Sequence, residues 1–310
     1  MTTPSEAIAV AAALDGAVNR VVRGKSGVVR LSLTALLSGG HLLLQDLPGT
    51  GKTLLGHTLA VAMGGRFGRV QCTPDLLPAD ITGTSVYQPN SGDWHFRPGP
   101  IMANVVLVDE VNRASPRTQS ALLEPMEEHQ VTIDGTTHAL PRPFLCIATQ
   151  NPHGQAGTFP LPESQLDRFA LTVSMGYPDR TAEREVLAGI GARHALETLV
   201  PVTTPELLHA VIEAIGELHV ETTLLDYLLD LIDATRAPSA PGTGASTRVA
   251  VSTLALARAH AVLCGRTYVT PDDVQSVFVY ATAHRVGAPD GSAQTWHDLS
   301  ARMAAVPVPR

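Results

Sequence analysis

Ile8, Ala11, Leu14, Ala17, Val18 and Val21 recur at helical spacing, so the chain is expected to open with an amphipathic helix from about Ser5. After Gly39-Gly40 the period changes. His41-Leu42-Leu43-Leu44 is a short unbroken apolar run, stopped by Asp46-Leu47-Pro48-Gly49. A run of that length between glycine and proline predicts a buried parallel strand. Helical spacing resumes from Thr53 to about Met63 and ends on Gly64-Gly65, a C-cap signal. Further short apolar runs stand at residues 69–72, 105–108, 145–148 and 171–175. Strands alternating with helices predict an α/β fold built on a parallel sheet.

Two stretches interrupt that alternation as hairpins. Residues 84–88 and 94–97 flank Pro89-Asn90-Ser91-Gly92, and residues 131–133 and 136–138 flank Asp134-Gly135. The Asp-Gly pair predicts a type I′ turn, whose two central positions both need positive φ. Near Tyr177-Pro178-Asp179 the character changes again. Beyond it only helical spacing recurs, at about residues 182–196, 205–218, 221–235, 247–264 and 271–285, with a Pro/Gly/Ser loop over residues 237–244. The expected organisation is an α/β unit over residues 1–176 followed by a helical unit over residues 177–310. No repeat at solenoid or propeller periods is apparent.

Composition narrows the class. Hydrophobic residues make up 44% of 310, enough for a full core, and with 4% aromatics that core must be mostly Ala, Val and Leu. The 22 Lys and Arg against 29 Asp and Glu leave −7, without the basic footprint needed to coat nucleic acid or an anionic membrane. Cys72, Cys146 and Cys264 form no Cys-x-x-Cys pair, and the 12 histidines form no His-x-His or His-x-x-x-His pair, which disfavours a disulfide framework and a zinc site. No apolar run reaches the ~18 residues of a membrane span, and Met1-Thr2-Thr3-Pro4-Ser5-Glu6 lacks the basic lead of a secretion signal. A soluble cytoplasmic protein is the expectation.

The strongest chemical signal is Pro48-Gly49-Thr50-Gly51-Lys52-Thr53, set between a predicted strand and a predicted helix. Glycines there let backbone N–H groups turn inward onto phosphate oxygens, and the helix that follows points its positive end at the same charge. Lys52 is expected to reach the β- and γ-phosphates and the Thr53 hydroxyl to take a magnesium ligand position. Asp46 stands where the general pattern has glycine. The second signal is Val105-Val106-Leu107-Val108-Asp109-Glu110, an apolar strand that delivers two carboxylates at its C-terminal end. Asp109 would hold magnesium, and Glu110 would orient and deprotonate an attacking water. Alone, such a run is a common strand end; about fifty residues after a phosphate loop it points to hydrolysis. Asn151, in Ala148-Thr149-Gln150-Asn151-Pro152, ends another predicted strand, where it can hold the lytic water or meet the γ-phosphate. Arg168, in Leu166-Asp167-Arg168-Phe169, and Arg248, in Gly244-Ala245-Ser246-Thr247-Arg248, carry the planar fork that suits phosphate.

In this order the pieces resemble an AAA+ ATPase, and more narrowly the MoxR family. The resemblance also rests on residues 71–83 (Gln71 to Gly83, with Thr73-Pro74-Asp75-Leu76-Leu77-Pro78), on Phe96-Arg97-Pro98-Gly99-Pro100, on Asp109-Glu110-Val111-Asn112-Arg113-Ala114 and on residues 118–124. It continues through Phe159-Pro160-Leu161-Pro162-Glu163-Ser164-Gln165-Leu166-Asp167-Arg168-Phe169 and Tyr268-Val269-Thr270-Pro271-Asp272-Asp273-Val274, and covers about residues 20–285. The family's usual aspartate in the phosphate loop matches Asp46. Arg23-Gly24-Lys25 stands where Val-Gly-Gln is common, Gln45 where Glu is usual, and Thr247 where Pro is common. The resemblance implies an α/β P-loop AAA+ domain with a parallel sheet and inserted β-hairpins, followed by an all-α lid domain. ATP and Mg2+ are the implied cofactors. Asn151 matches the first sensor and Arg248 the second, and Arg168 matches the finger offered to a neighbouring subunit's ATP, with Arg113 as the alternative trans arginine.

The same resemblance implies a homo-hexameric ring that remodels a protein client, working with a separate protein that carries a von Willebrand factor A domain, since no Asp-x-Ser-x-Ser motif occurs in this chain. A DNA motor is the competing expectation. It needs basic hairpins, yet residues 131–140 hold no Lys or Arg and the first hairpin ends in the single Arg97. A scaffold whose assembly is merely gated by nucleotide is the third. The paired Asp109-Glu110 favours turnover instead.

Overall fold

The computed structural model describes residues 2–46, 49–151, 157–177, 180–187, 192–237, 244–286 and 293–309. The chain opens with α1 (Pro4–Val21) and α2 (Ser26–Leu37), then β1 (Leu42–Gln45), α3 (Lys52–Ala62) and β2 (Phe67–Gln71). Thr3 caps α1 by accepting the Glu6 N–H at 3.2 Å, with Pro4 at the first helical position. A short α4 (Pro78–Thr82) leads into a hairpin of β3 (Gly83–Gln88) and β4 (Asp93–Pro98), and β5 (Val105–Asp109) follows. After the single turn Val111–Arg113 come α5 (Pro116–Ser120), α6 (Leu123–Glu128), a second hairpin of β6 (Gln130–Ile133) and β7 (Thr136–Ala139), then β8 (Leu145–Gln150), α7 (Glu163–Leu166) and β9 (Leu171–Val173). At the second hairpin's turn Asp134 and Gly135 have φ of 50° and 80°, as type I′ geometry requires.

Strands β2-β5-β8-β1-β9 form one sheet, every pair parallel. All five C-terminal ends therefore face the same way. Side chains alternate across the sheet, so one β-strand feeds two cores. Leu42, Leu44, Val105, Leu107, Leu145 and Ile147 join the large core with α1, α2, α3 and the C-terminal helices. Leu43, Val106, Val108, Cys146 and Ala148 join a second core with Val131, Phe144 and Phe169. A slip of one residue would exchange the two sets, which pins the register.

Beyond β9 every element among the described residues is a helix: α8 (Arg180–Leu187), α9 (Ala192–Glu197), α10 (Pro205–Gly216), α11 (Thr222–Arg236), α12 (Thr247–Leu263), α13 (Pro271–Val286) and α14 (Ala293–Ala305). Between α8 and α9, within the single helix expected over residues 182–196, residues 188–191 lie outside the described residues, as do residues 238–243 of the expected loop. Helix α2 is not signalled by the apolar pattern. Residues 32–37 are all buried, so no polar face marks the helical period. No described helix is long and apolar enough to cross a membrane.

Buried polar groups fix the turns of this helical part and tie it to the sheet. Asp273 is fully buried and takes Arg266 at 2.5 and 2.7 Å, the Thr270 N–H and hydroxyl at 2.8 Å each, and His260 Nδ1 at 2.7 Å. Burial alone would raise its pKa, but the hydrogen bonds from His260, Arg266 and Thr270 outweigh it and hold the carboxyl far below the usual range. Cys264, His260 and Asp273 come within 4.8 Å of one another, but the Arg266 guanidinium already holds both carboxylate oxygens, and its charge opposes a cation there.

On α13, His284 Nε2 bonds the Phe169 carbonyl at 2.8 Å, and Arg285 Nη2 donates to the carbonyls of Asp167 and Phe169 at 2.9 Å each. His41, at the root of β1, sits between the Met126 carbonyl at 2.9 Å and the Cys146 N–H at 3.2 Å. Carbonyl and N–H together fit a neutral imidazole that carries its proton on Nε2. Burial depresses both rings, His41 to about 4 and His284 to about 3. Their folded-state pKa values lie below the ~6.5 of an unfolded histidine, so the unfolded chain binds more protons in acid. Their contribution to stability is complete above ~6.5 and is lost as pH falls towards 4 and below. Melting temperature is expected to fall steadily from pH 6.5 to 4.5, with a shallower slope in His284→Gln. A flat profile would contradict neutral burial.

Candidate functional site

A cleft of about 380 Å³ opens at the C-terminal edge of the sheet, where parallel α/β folds gather their ligands. The loop after β1 forms its floor. Gly49 and Gly51 have φ of 84° and 94°, a region costly for any side chain, and Gly51 is the N-cap of α3. The sequence thus needs glycine at these two points to turn the loop over the helix N-terminus. Asp46, Lys52 and Thr53 line the same cleft, with Lys52 Nζ donating to the Asp46 carbonyl at 3.3 Å. Thr50 is buried beneath. Pro48 lies outside the described residues.

Two further contacts brace this loop against the end of β9. The Asp46 carboxylate accepts the N–H groups of Met175 and Gly176, the latter at 3.0 Å. Lys25 Nζ donates to the carbonyls of Thr50 at 2.7 Å and Gly176 at 2.8 Å. Burial lowers the Lys25 pKa, which the Asp46 charge opposes and the Lys52 charge reinforces. Asp46 thus has an architectural reason to replace glycine: it fastens the phosphate loop to the strand that leads into the helical part. Only the folded chain brings Lys25 to this point.

The wall comes from β5 and β8. The Asp109 side chain is only 9% exposed. Thr149 couples the acidic pair, its hydroxyl accepting the Glu110 N–H at 2.8 Å and donating to Asp109 Oδ1 at 3.3 Å. Glu110 has φ of 55°, the left-handed region that a non-glycine residue enters at a cost. That turn carries its carboxylate out of the strand, where it meets Arg113 Nη1 at 2.8 Å. Asn151 lines the cleft one residue beyond β8, beside Thr149. Residues expected at the ends of two different strands, Asp109 and Glu110 on one and Asn151 on the other, therefore share one cavity with Lys52 and Thr53. Arg69 and Gln71 of β2 also line it; the spacing of motifs gives no sign of either, because only the pairing of β2 with β5 brings them near.

Arg168 and Arg248 are not among the residues lining the cleft. They converge instead on a shared acidic seat. Arg168 pairs with Glu127 Oε1, and Arg248 reaches the same oxygen at 3.4 Å and Asp167 Oδ2 at 3.3 Å. Arg285 holds the other Asp167 oxygen at 3.3 Å. Partial burial and the Arg248 charge both lower the pKa of Arg168. Three guanidinium groups over two carboxylates leave a net positive patch. Arg113, engaged with Glu110, is on the cleft side within its own chain.

The donor set of the cleft suits a hard divalent cation. The Thr53 hydroxyl and the Asp109 and Glu110 carboxylates are oxygen ligands, as Mg2+ prefers.

Comparison with known proteins agrees with this geometry. Residues 41–171 match the profile of the ATPase family associated with various cellular activities (AAA), and residues 233–302 match the AAA lid domain. The chain is 40% identical to Chaperone MoxR1 of Mycobacterium tuberculosis over 87% of its own length and 73% of that protein's. It is 30% identical to Protein MoxR of Paracoccus denitrificans over 95% of each chain. A crystal structure of a candidate ATPase from Cytophaga hutchinsonii superposes with a TM-score of 0.88 at 34% identity, covering 99% of this chain and 97% of that one.

Proposed function

Because the chain belongs to the MoxR family of AAA ATPases, we propose that it hydrolyses ATP with Mg2+ at the interfaces of a cytoplasmic, hexameric ring and spends the turnover on remodelling a protein client. The observation that carries this reading is the convergence of Lys52, Thr53, Asp109, Glu110 and Asn151 on one cleft at the C-terminal edge of the sheet. In it the loop N–H groups and Lys52 take the β- and γ-phosphates. Thr53 and Asp109 hold the magnesium, which when bound neutralises charge on the phosphate oxygens. Glu110 accepts the proton of the attacking water, and Asn151 orients that water against the γ-phosphate.

Among the described residues the arginine that lines the cleft is Arg69, and it is paired with Asp109, so none of the cleft's own is offered to the charge that develops on the transferring phosphoryl group. The patch of Arg168 and Arg248 answers that need if it faces the ATP of the next subunit, a head-to-tail contact that closes into a ring. The seat formed by Glu127 and Asp167 keeps both arginines in order until that contact forms.

The hairpins support a protein client. Tyr87 and Trp94 stand 48% and 69% exposed on the first, with ring centroids 5.4 Å apart. Phe96 stacks on His138 of the second hairpin at 3.9 Å and locks the two together. Exposed aromatics with Arg97 as the single Lys or Arg on the two hairpins suit a polypeptide better than a phosphate backbone. A separate partner with a von Willebrand factor A domain would complete the system, and copurification tests for it.

Replacing Lys52 by Ala is expected to abolish nucleotide binding, because the remaining loop keeps its N–H groups but loses the one full charge aimed at the phosphates. Titration with a fluorescent ATP analogue reads this directly. Unchanged affinity would refute the assignment of the phosphate loop.

A further inference from the structure

Arg69 lies on β2, one of the two edge strands of the sheet, and has no part in the hydrolysis proposed for the cleft. In the pairing of β2 with β5, Gln71 stands opposite Asp109 and Arg69 opposite Leu107. From two residues upstream on the same face, the long Arg69 side chain leans forward along the edge. Its Nε and Nη2 lie 2.9 and 2.8 Å from one oxygen, Asp109 Oδ2, and Nη2 also donates to Gln71 Oε1 at 3.3 Å. The other oxygen, Oδ1, takes the Thr149 hydroxyl. Both oxygens of the carboxylate assigned to magnesium are therefore engaged, and one of them by a cation.

The two partners differ in freedom. The Asp109 side chain is 9% exposed and pinned by Thr149, whereas Arg69 is 50% exposed at an open sheet edge and lines the cleft. If one partner has to yield, it is Arg69, whose guanidinium can rotate into water at little cost. A carboxylate oxygen that accepts the Nε–H and lies 2.8 Å from a second nitrogen of the same cation is crowded and partly neutralised, which weakens it as a ligand for a metal or its bound water.

We propose that Arg69 is a metal-gating residue: its guanidinium and Mg2+ compete for the Asp109 carboxylate, so that the cost of displacing Arg69 sets how much magnesium the nucleotide site demands. This rests on the reading of Asp109 as the magnesium ligand. Gln71 gives the displaced or returning guanidinium a fixed second acceptor, which keeps it beside the site. A mere surface ion pair would contribute to folding only and would leave metal affinity alone.

The test uses the full-length chain loaded with ADP and compares wild type with Arg69→Ala and Arg69→Lys. Bound Mn2+ is counted by electron paramagnetic resonance, and the gain in ADP affinity between EDTA and Mg2+ is measured in parallel; that ratio cancels any uniform loss of attraction for phosphate. In Arg69→Ala the half-saturating metal concentration is expected to fall roughly three- to tenfold, the range for a charge-assisted pair with one exposed partner. Arg69→Lys, with a single ammonium, should fall between. An unchanged or higher metal requirement in a normally folded Arg69→Ala overturns the proposal while leaving the ATPase reading intact. A wild type whose ADP binding ignores magnesium overturns both.

Discussion

Glu110→Gln is expected to bind ATP as tightly as the parent and to hydrolyse it roughly 10²- to 10⁴-fold more slowly, the usual loss when a general base is removed. The substitution is a clean one because of how the residue is held. Its position is fixed through the backbone, by the N–H bond to Thr149 and the left-handed turn at φ 55°, and neither depends on the side-chain charge. A glutamine oxygen can still accept from Arg113, so the local contact survives in weaker form. The Glu110 and Arg113 side chains are 36% and 42% exposed, and a pair so open to water contributes at most about 1 kcal/mol to folding. What disappears is the ability to take a proton. Steady-state phosphate release, with binding measured on the same preparation, separates the two readings of this protein. Equal rates in parent and variant would favour a nucleotide-gated scaffold, with the acidic pair kept for architecture alone. Retained binding with lost turnover would make Glu110 the base.

The sheet was legible in the sequence because its strands are buried on both faces and therefore read as unbroken apolar runs; Val105 to Val108 and Leu145 to Ala148 are fully or nearly fully buried. The strand ends were less so. β5 and β8 run on to Asp109 and Gln150, polar positions that hydrophobicity cannot claim but that the parallel ladder still pairs. Helix α2 escaped because its second half, residues 32–37, is buried on every side and shows no polar face, and α14 because Trp296 and its neighbours show their purpose only against Tyr280 at 5.1 Å. The phosphate loop and the acidic pair were legible because each is local in sequence. Arg69, Thr149 and Lys25 were not, since each reaches the cleft through a partner 25 to 40 residues away. The meeting of Arg168 and Arg248 on Glu127 is the extreme case: Arg248 and Glu127 are separated by 121 residues, and no spacing rule connects them.

That meeting makes the second large prediction. Arg168→Ala is expected to slow hydrolysis by roughly 10³-fold or more, the scale of a finger arginine acting on a transferring phosphoryl group, without weakening nucleotide binding to the cleft that Arg168 does not line. A loss of rate alone would not say whose ATP the arginine serves. Mixing does. A subunit carrying Arg168→Ala keeps Glu110, and a subunit carrying Glu110→Gln keeps Arg168; each is inactive by itself. If the arginine works across the interface, a head-to-tail ring assembled at random from equal parts regains about one interface in four, wherever an intact base is paired with an intact finger. If it works within its own chain, no mixture regains anything. Arg113→Ala provides the contrast. Arg113 is tied to Glu110 of its own chain at 2.8 Å, so its loss frees the base rather than depriving a neighbour, and mixing it with Glu110→Gln should give no more than the sum of the parts. Recovery with Arg113→Ala and none with Arg168→Ala would exchange the roles of the two arginines, while recovery with neither would remove the shared site and with it the physical reason for a ring.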